Sequence, residues 1–247
     1  MNAVHFIVPE GIADPARPSG GNAYDRRVAR GLATTGWTVH VHEVPGAWPW
    51  PDATSLRALA GSVGEVPDGA LVLADGLVAS PAAEVLAPEA GRVRLVVLVH
   101  MPLGHGATDT GAREREEAVL TDAASVVTTS AWARRALLEL YSLPSDRVHV
   151  AEPGVDPAEL APGTATAGAL LSVAAVIPGK GHDVLVDALA SLTSFRWQCL
   201  CVGSLERDPA FVARVRRRAV AFGELGCCLR AREAHPVVHP PGDDAAT

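Results

Sequence analysis

Short apolar segments that alternate with helical segments constrain the fold of this chain most strongly. Residues 70–76 and 94–100 are dominated by aliphatic side chains, and both segments have the length of a strand. Because they lack the alternation of a half-exposed strand, they are typical of a parallel sheet that helices cover on both faces. The sequence therefore predicts an α/β protein, in which ligands bind beyond the carboxyl ends of the strands.

The first βαβ unit brings a glycine pair close to the end of a strand. Residues 4–8 form an apolar strand, residues 24–32 carry apolar side chains at helical spacing, and residues 37–42 alternate as a second strand. Gly20 and Gly21 lie where the first strand gives way to the helix. They have two interpretations, a plain flexible loop or a backbone cradle that a ligand can approach closely.

Composition and charge restrict the functional classes. The 247 residues are 48% hydrophobic and 20% charged, as in ordinary soluble globular proteins, and the net charge of -7 argues against a nucleic-acid partner. An 18-residue apolar run is absent, so no transmembrane segment is predicted, whereas peripheral contact with a membrane stays open. The four cysteines are interpreted as reduced thiols. Together with a first strand in place of a signal peptide, they predict a cytoplasmic protein.

Small and polar residues at positions 162–168 indicate a linker between two domains. We predict a complete N-terminal Rossmann-like domain over residues 1–162, an incomplete second Rossmann-like domain over residues 169–223, and a disordered or aberrant tail over residues 224–247. The second domain would hold a sheet of two strands, which is too small to be stable by itself. Its uncovered sheet predicts self-association of the protein.

A glycine-flanked lysine follows the first strand of the second half. Residues 170–183 read as an apolar strand, a Pro-Gly turn and the start of a helix, and Lys180 in this turn is the only lysine of the chain. The helix N-terminus, Gly179, Gly181 and the ammonium group together favour binding of a phosphate. The turn matches neither a Walker loop nor a dinucleotide-binding fingerprint. A solvated lysine in a surface turn is the alternative.

Two polar features of the first half receive different interpretations. His100 ends the most apolar strand of this half, which places it where ligands of α/β proteins bind. The competing interpretation is a histidine whose ring is satisfied by a loop carbonyl. The charged segment of residues 112–121 is interpreted as a helix with a solvated charged face.

Four parts of the chain together resemble the retaining GT-B glycosyltransferases usually called family 4. They are the glycine pair, the strand that ends at His100, residues 122–130 with 153–156, and residues 177–181 with 200–203. Each motif alone is loose, and their order and spacing over residues 4–222 carry the resemblance. It implies two Rossmann-like domains facing a cleft, with an unknown acceptor bound mainly by the first domain. A nucleotide-diphosphate sugar would be bound mainly by the second, as a substrate, with no cofactor and no catalytic metal.

The resemblance also implies a role for each matched residue. Gly20 and Gly21 would face the donor phosphates or the acceptor, and His100 would lie beside the transferred sugar as the catalytic residue. Lys180, in its glycine-flanked turn, would contact the donor diphosphate. A fixed cation at this position would stabilise the charge that develops on the leaving group.

The sequence departs from the family in two ways. The arginine that usually precedes the lysine turn is Ala175 here, so a second cation is missing or is supplied from elsewhere, for example by Arg207. The family's pair of glutamates separated by seven residues, which would bind the ribose and sugar of the donor, is also absent. The leading hypothesis is a sugar transferase with a truncated donor domain, whose activity stays open. The alternative is a catalytically silent remnant that binds a partner or an acceptor.

Composition and hydrophobic period both change within a few residues of Gly223. In the family, another apolar strand should follow the helix of residues 208–222, but residues 224–247 show no convincing period. The hypothesis is that this tail results from a shifted reading frame, which predicts that it lacks regular structure. A native but disordered tail is the alternative.

Overall fold

The computed structural model describes residues 2–15, 18–106, 109–161, 163–164, 168–192, 194–195, 197–220 and 227–230. The chain divides into two compact units, residues 1–156 and residues 157–247. Every strand pair in the described residues is parallel, which confirms the predicted α/β class. The assignment of the first half to an acceptor and the second half to a donor stays a prediction.

The first unit alternates strands and helices around a six-stranded sheet. Its elements are β1 (Ala3–Pro9), α1 (Gly20–Thr34), β2 (Thr38–Val44), α2 (Ala53–Gly64), β3 (Leu71–Asp75), α3 (Gly76–Ala79), α4 (Ala83–Glu89), β4 (Arg94–Val99), α5 (Thr110–Asp122), β5 (Ser125–Thr128), α6 (Ala131–Leu140) and β6 (Val148–Val150). The strand order is β2-β1-β3-β4-β5-β6. The order therefore reverses direction between β1 and β3, which is the point where open α/β sheets bind their ligands.

Apolar side chains cover both faces of this sheet. Phe6 and Leu98 belong to a cluster that packs against α1, whereas Ile7 and Val97 belong to a second cluster that includes residues of α2, α4, α5 and α6. Because neighbouring residues of a strand point to opposite faces, a strand covered on both sides must be apolar at nearly every position. This explains the continuous apolar runs in the sequence.

The second unit contains a smaller parallel sheet in the order β7-β8-β9. Its elements are β7 (Ala169–Val173), a 3-10 turn (Pro178–Lys180), α7 (His182–Ala190), β8 (Gln198–Val202), α8 (Pro209–Val220) and β9 (Cys227–Arg230). The prediction that residues 224–247 lack regular structure is wrong for Cys227–Arg230, which pair along β8. Four residues are too short to show a period, so the sequence pattern missed this strand. Residues 224–226 and 231–247 lie outside the described residues.

The edge strand β7 is poorly covered among the described residues. Leu171 and Val173 expose 67% and 70% of their surfaces. An uncovered edge of this kind favours association, and self-association stays a prediction. On the neighbouring strand, Cys199 and Cys201 are both buried with sulfur atoms 3.9 Å apart, which confirms that they share one face. None of the helices in the described ranges is long and apolar enough to span a membrane.

Candidate functional site

The candidate site lies at the carboxyl ends of β1, β3 and β4, all within the first unit. Gly20 and Gly21 are the first two residues of α1, which follows β1. Asp75 is the last residue of β3, and His100 directly follows β4. Asp25 lies in the second turn of α1. Because parallel strands end at the same edge of a sheet, their following residues converge here.

His100 is held by a carboxylate of α1. Its Nε2 atom lies 3.0 Å from Oδ1 of Asp25, which is completely buried, and 20% of the His100 side chain is exposed. A Cβ atom on Gly21 would lie 3.4 Å from the His100 ring, so Gly21 lies directly beside the ring. Tyr24 packs edge-on against the same ring, with centroids 5.4 Å apart. The ring is therefore held by a carboxylate, whereas the sequence had offered a loop carbonyl as the structural alternative.

Asp75 is a second buried carboxyl group beside this histidine. Its Oδ1 atom accepts a hydrogen bond of 2.8 Å from the amide of Leu77, which caps α3. Burial, together with the negative charge of Asp25, raises the pKa of Asp75 to about 7. The remaining oxygens, Oδ2 of Asp25 and Oδ2 of Asp75, are buried without a hydrogen-bond partner in the part of the chain that is described.

Burial and the neighbouring carboxyl groups act on the pKa of His100 in opposite directions. Burial lowers the pKa of His100, but the hydrogen bond with Asp25 and the charges of Asp25 and Asp75 raise it, and the net direction is upward. One atom of each of the three side chains lies within 4.8 Å of the others, a spacing that could surround a metal ion. A metal ion there would have to replace the hydrogen bond between His100 and Asp25. The same side chains can also share protons, since His100 and Asp25 lie at hydrogen-bond distance.

A pocket of about 350 Å³ adjoins α1. Gly20, Tyr24 and Arg27 line it from the helix, and residues 152–154 line it from the segment after β6. The Tyr24 hydroxyl donates a hydrogen bond of 2.7 Å to the carbonyl of Ala151, and Arg27 forms an ion pair with Asp156. The structure thus brings Gly20 into the same pocket as Pro153 and Gly154. Backbone groups, an arginine and a carboxylate here could contact a polar ligand.

The segment after His100 is anchored by Glu116 of α5. This carboxylate is completely buried, so the prediction of a solvated charged face is wrong at this position. Its hydrogen-bond donors are the Ser80 hydroxyl, the amides of Leu103 and Gly104, and the Tyr141 hydroxyl, at 2.7–2.8 Å. Glu114 and Glu117 on the same helix are exposed, as predicted. Glu116 therefore fixes the path of the chain that leaves His100.

Lys180 and its glycines lie in the second unit. Lys180 ends the 3-10 turn and is exposed, and Gly181 adopts a left-handed conformation with φ of 67° before α7 begins. A Cβ atom on Gly179 or Gly181 would meet nothing within 4 Å, so the turn is open. His182, the next residue, is 1% exposed and neither ring nitrogen has a partner among the described residues. The turn has the shape predicted for it, and its ligand stays a prediction.

Sequence reasoning identified Gly20, Gly21 and His100 but missed the two aspartates. Asp25 is spaced with Val28, Ala29 and Leu32 along the inward face of α1. A charged residue at such a position was the signal that could have revealed it. Asp75 ends a buried strand, and the reasoning that singled out His100 applies to it equally.

Comparisons with known proteins bear on the family and on the fold. Residues 70–159, which include Asp75, His100 and Glu116, match the family model described as Glycosyltransferase Family 4. No curated protein sequence matches the chain.

Solved glycosyltransferase structures match nearly the whole chain. HepE of Anabaena in complex with UDP-glucose gives a TM-score of 0.69 at 15% identity, over 94% of this chain and 69% of that chain. A glycosyltransferase from Rickettsia africae gives 0.60 at 19% identity with the same coverage. The catalytic domain of starch synthase IV from Arabidopsis thaliana gives 0.57 at 10% identity, over 95% and 74%. The fold is that of GT-B glycosyltransferases, and the resemblance seen in the sequence is confirmed.

Proposed function

We propose that this chain acts as a glycosyltransferase that moves a sugar from a nucleotide-diphosphate sugar to an acceptor. The observation that carries the proposal is the meeting of Gly21, His100 and two buried carboxyl groups at the switch point of the sheet. These residues come from the helix after β1, the end of β3 and the position after β4, so three different strands contribute to the site. The match of residues 70–159 to a glycosyltransferase family supports the same chemistry.

A nucleoside diphosphate sugar is the donor class that the neighbours favour. HepE of Anabaena was solved with UDP-glucose, and starch synthase IV was solved with ADP and acarbose. In the proposed reaction, the bond between the sugar and the phosphate oxygen breaks and the nucleoside diphosphate leaves. An acceptor hydroxyl forms the new bond to the sugar and releases its proton. His100 lies beside the transferred sugar, and Gly20 and Gly21 let the backbone approach the donor phosphates or the acceptor.

Lys180 is proposed as the main diphosphate contact. It is exposed, forms no ion pair among the described residues, and precedes the N-terminus of α7. The unpaired amides at a helix N-terminus and a nearby ammonium group both attract phosphate. Arg207 after β8 is exposed and is the candidate for a second cation.

A catalytically silent binding protein is the second candidate. The sequence contains no two glutamates separated by seven residues, and the family binds its donor with such a pair. This function would keep the pocket beside α1 and its polar ligand but would dispense with donor binding.

Isothermal titration with UDP, ADP and UDP-glucose distinguishes the two functions. Under the proposed function, Lys180→Ala weakens binding of the preferred nucleotide about 10- to 150-fold, the effect of losing a charge-assisted contact. Arg216→Ala is the matched control, because Arg216 is an exposed cation on α8 with no ion pair among the described residues. Absence of nucleotide binding by the wild-type protein would favour the silent alternative. Equal affinities of wild type and Lys180→Ala would end the assignment of Lys180.

A further inference from the structure

Two buried carboxyl groups lie beside His100, and the reaction proposed above leaves their chemical role open. Asp25 and Asp75 are completely buried, and one oxygen of each lies within 4.8 Å of the other and of a ring nitrogen of His100. The Oδ2 atoms of both have no hydrogen-bond partner in the described ranges. Buried polar atoms almost always have a partner in folded proteins. A proton on one of the two groups would supply the missing donor.

Two negative charges at this spacing do not persist together away from water. When like charges share a buried site, one of the two groups stays protonated. Burial and the charge of Asp25 raise the pKa of Asp75 to about 7, so Asp75 holds its proton throughout the acidic range and releases it only around neutral pH. Asp25 faces the ring of His100 at 3.0 Å, so the negative charge is best placed there.

We propose that Asp25 is a positioning residue that fixes the proton of His100 on Nε2, while Asp75 stays protonated and donates a hydrogen bond to Asp25. An ionised carboxylate can only accept hydrogen bonds, so the nitrogen facing it must carry a hydrogen. Nδ1 takes no part in the hydrogen bonds of the described residues and is left as an acceptor for a substrate hydroxyl. That use of Nδ1 rests on the proposed function, whereas the proton positions do not.

Few titratable groups face His100 among the described residues. Asp25 and Tyr24 come from α1, and Asp75 comes from the end of β3. Burial and then the charge of Asp25 raise the pKa of Tyr24, so its hydroxyl stays neutral. The carboxylate of Asp25 favours a proton on His100, the charge of Asp75 would do so only when Asp75 is ionised, and burial opposes it. The net upward shift in the pKa of His100 can be measured, and it reports the carboxylate beside Nε2.

Nitrogen-15 NMR of the full chain labelled at histidine reads these proton positions directly. His100→Gln identifies the His100 signals among the nine histidines. We expect the neutral ring to carry its hydrogen on Nε2 and the titration midpoint to lie above about 6.5. A hydrogen on Nδ1, or a midpoint below that value, would overturn the proposal without any substitution of the aspartates.

Substitutions of the two aspartates separate their roles. Asp25→Asn removes the charge, and the His100 midpoint should fall by about 1–2 pH units. Asp75→Asn keeps a donor toward Asp25, so the midpoint should stay close to that of the wild type. Asp52→Asn is the control, because Asp52 caps α2 through Ser55 and should leave His100 unchanged. An equal fall in Asp75→Asn and Asp25→Asn would contradict the assignment of the charge to Asp25.

A metal ion in the same position is the competing outcome. Stoichiometric Mn²⁺ would then broaden the His100 signals, and such broadening would overturn the proposal. Titration with UDP is independent of these measurements. If the protein has the predicted proton positions but does not bind UDP, this inference stands and the proposed function fails. If it binds UDP but lacks those proton positions, the proposed function stands and this inference fails.

Discussion

Glu116 and the Asp25–Asp75 pair are buried carboxyl groups of the same unit, yet their surroundings differ. Glu116 accepts four hydrogen bonds, two on each oxygen. Each aspartate leaves one buried oxygen without a donor among the described residues. Burial alone therefore does not distinguish a carboxylate that stabilises the fold from one that serves a ligand. The hydrogen-bond partners of the carboxylate make that distinction.

The difference follows from what each group fixes. The donors to Glu116 come from the residue after α3, from the segment after β4 and from the residue after α6. The carboxylate therefore connects three parts of the chain. The aspartates contact a partly exposed histidine at the end of the sheet. Incomplete hydrogen bonding is tolerated at sites that must bind something else. We infer that Glu116 maintains the shape of the site and the aspartates control its protons.

The largest effect is expected from Glu116→Gln. The amide nitrogen of glutamine cannot accept the bonds that one carboxylate oxygen accepts, and buried donors would lose their partner. We expect the free energy of unfolding to fall by about 3 kcal/mol. Urea unfolding measures it, with Glu117→Gln as a control because Glu117 is exposed on the same helix. Equal stabilities of the two variants would remove the distinction between a structural carboxylate and a functional one.

A smaller loss is expected from Gly104→Ala. A Cβ atom at this position would overlap the hydroxyl of Tyr141, which donates to Glu116. Overpacking of this kind costs about 1–3 kcal/mol. Gly31→Ala is the control, because Gly31 lies in α1 with nothing within 4 Å and alanine favours the helix. Thermal unfolding of the two variants should shift in opposite directions. A stable Gly104→Ala protein would indicate that the Glu116 network can rearrange.

Much of the fold was predictable because a strand that is buried on both faces has a continuous run of apolar residues in the sequence. The strand of residues 94–100 was predicted nearly to its bounds, and the structure has it as Arg94–Val99. The helix predicted over residues 112–121 is Thr110–Asp122. β9 was missed because four residues cannot show a period, and its pairing with β8 depends on contacts distant in the chain.

The site was predictable only in part, and two of the three missed carboxyl groups, Glu116 and Asp25, were missed for the same reason. Glu116 is spaced with Val119 and Leu120 on α5, as Asp25 is with Val28 and Ala29 on α1. Both are charged residues at inward positions of a helix. Most charged side chains are exposed to solvent, so predicting exposure is correct on average. The prediction fails where hydrogen-bond donors or a histidine from elsewhere in the chain offset the cost of burying the charge. Those partners come from other strands and helices, so spacing along the chain could not supply them.

Asp75→Asn tests, through the pH dependence of stability, whether the aspartates differ from Glu116. The folded protein keeps the Asp75 proton up to a pKa of about 7, whereas the unfolded chain releases it near 3.9. Wild-type stability should therefore decline as pH rises from about 4 to about 7, and asparagine should abolish that decline. The variant should exceed the wild type by about 1–2 kcal/mol at pH 8, because relaxation reduces the penalty of burial. Urea unfolding at pH 5 and pH 8 measures it. Asp52→Asn is the control. Hydrogen bonds to Ser55 lower the pKa of Asp52, so the contribution of Asp52 is complete above about pH 4 and this variant should lose the same stability at pH 5 and at pH 8.

The smallest effect is expected from Tyr24→Phe, which tests whether polar contacts beside the aspartates matter to the fold. The hydroxyl of Tyr24 donates to the carbonyl of Ala151, while its ring packs against His100. Phenylalanine keeps the ring and loses a solvent-exposed hydrogen bond, so unfolding should become easier by only about 0.5–1 kcal/mol. The same residue lines the pocket beside α1, so binding of a polar ligand there should weaken more than stability does. Paired urea unfolding and titration with UDP-glucose compare the two. If the stability of Tyr24→Phe fell as far as that of Glu116→Gln, Tyr24 would be needed for the fold. The polar contacts beside the aspartates would then be structural, and the distinction between Glu116 as a structural carboxylate and the aspartates as ligand-binding groups would not hold.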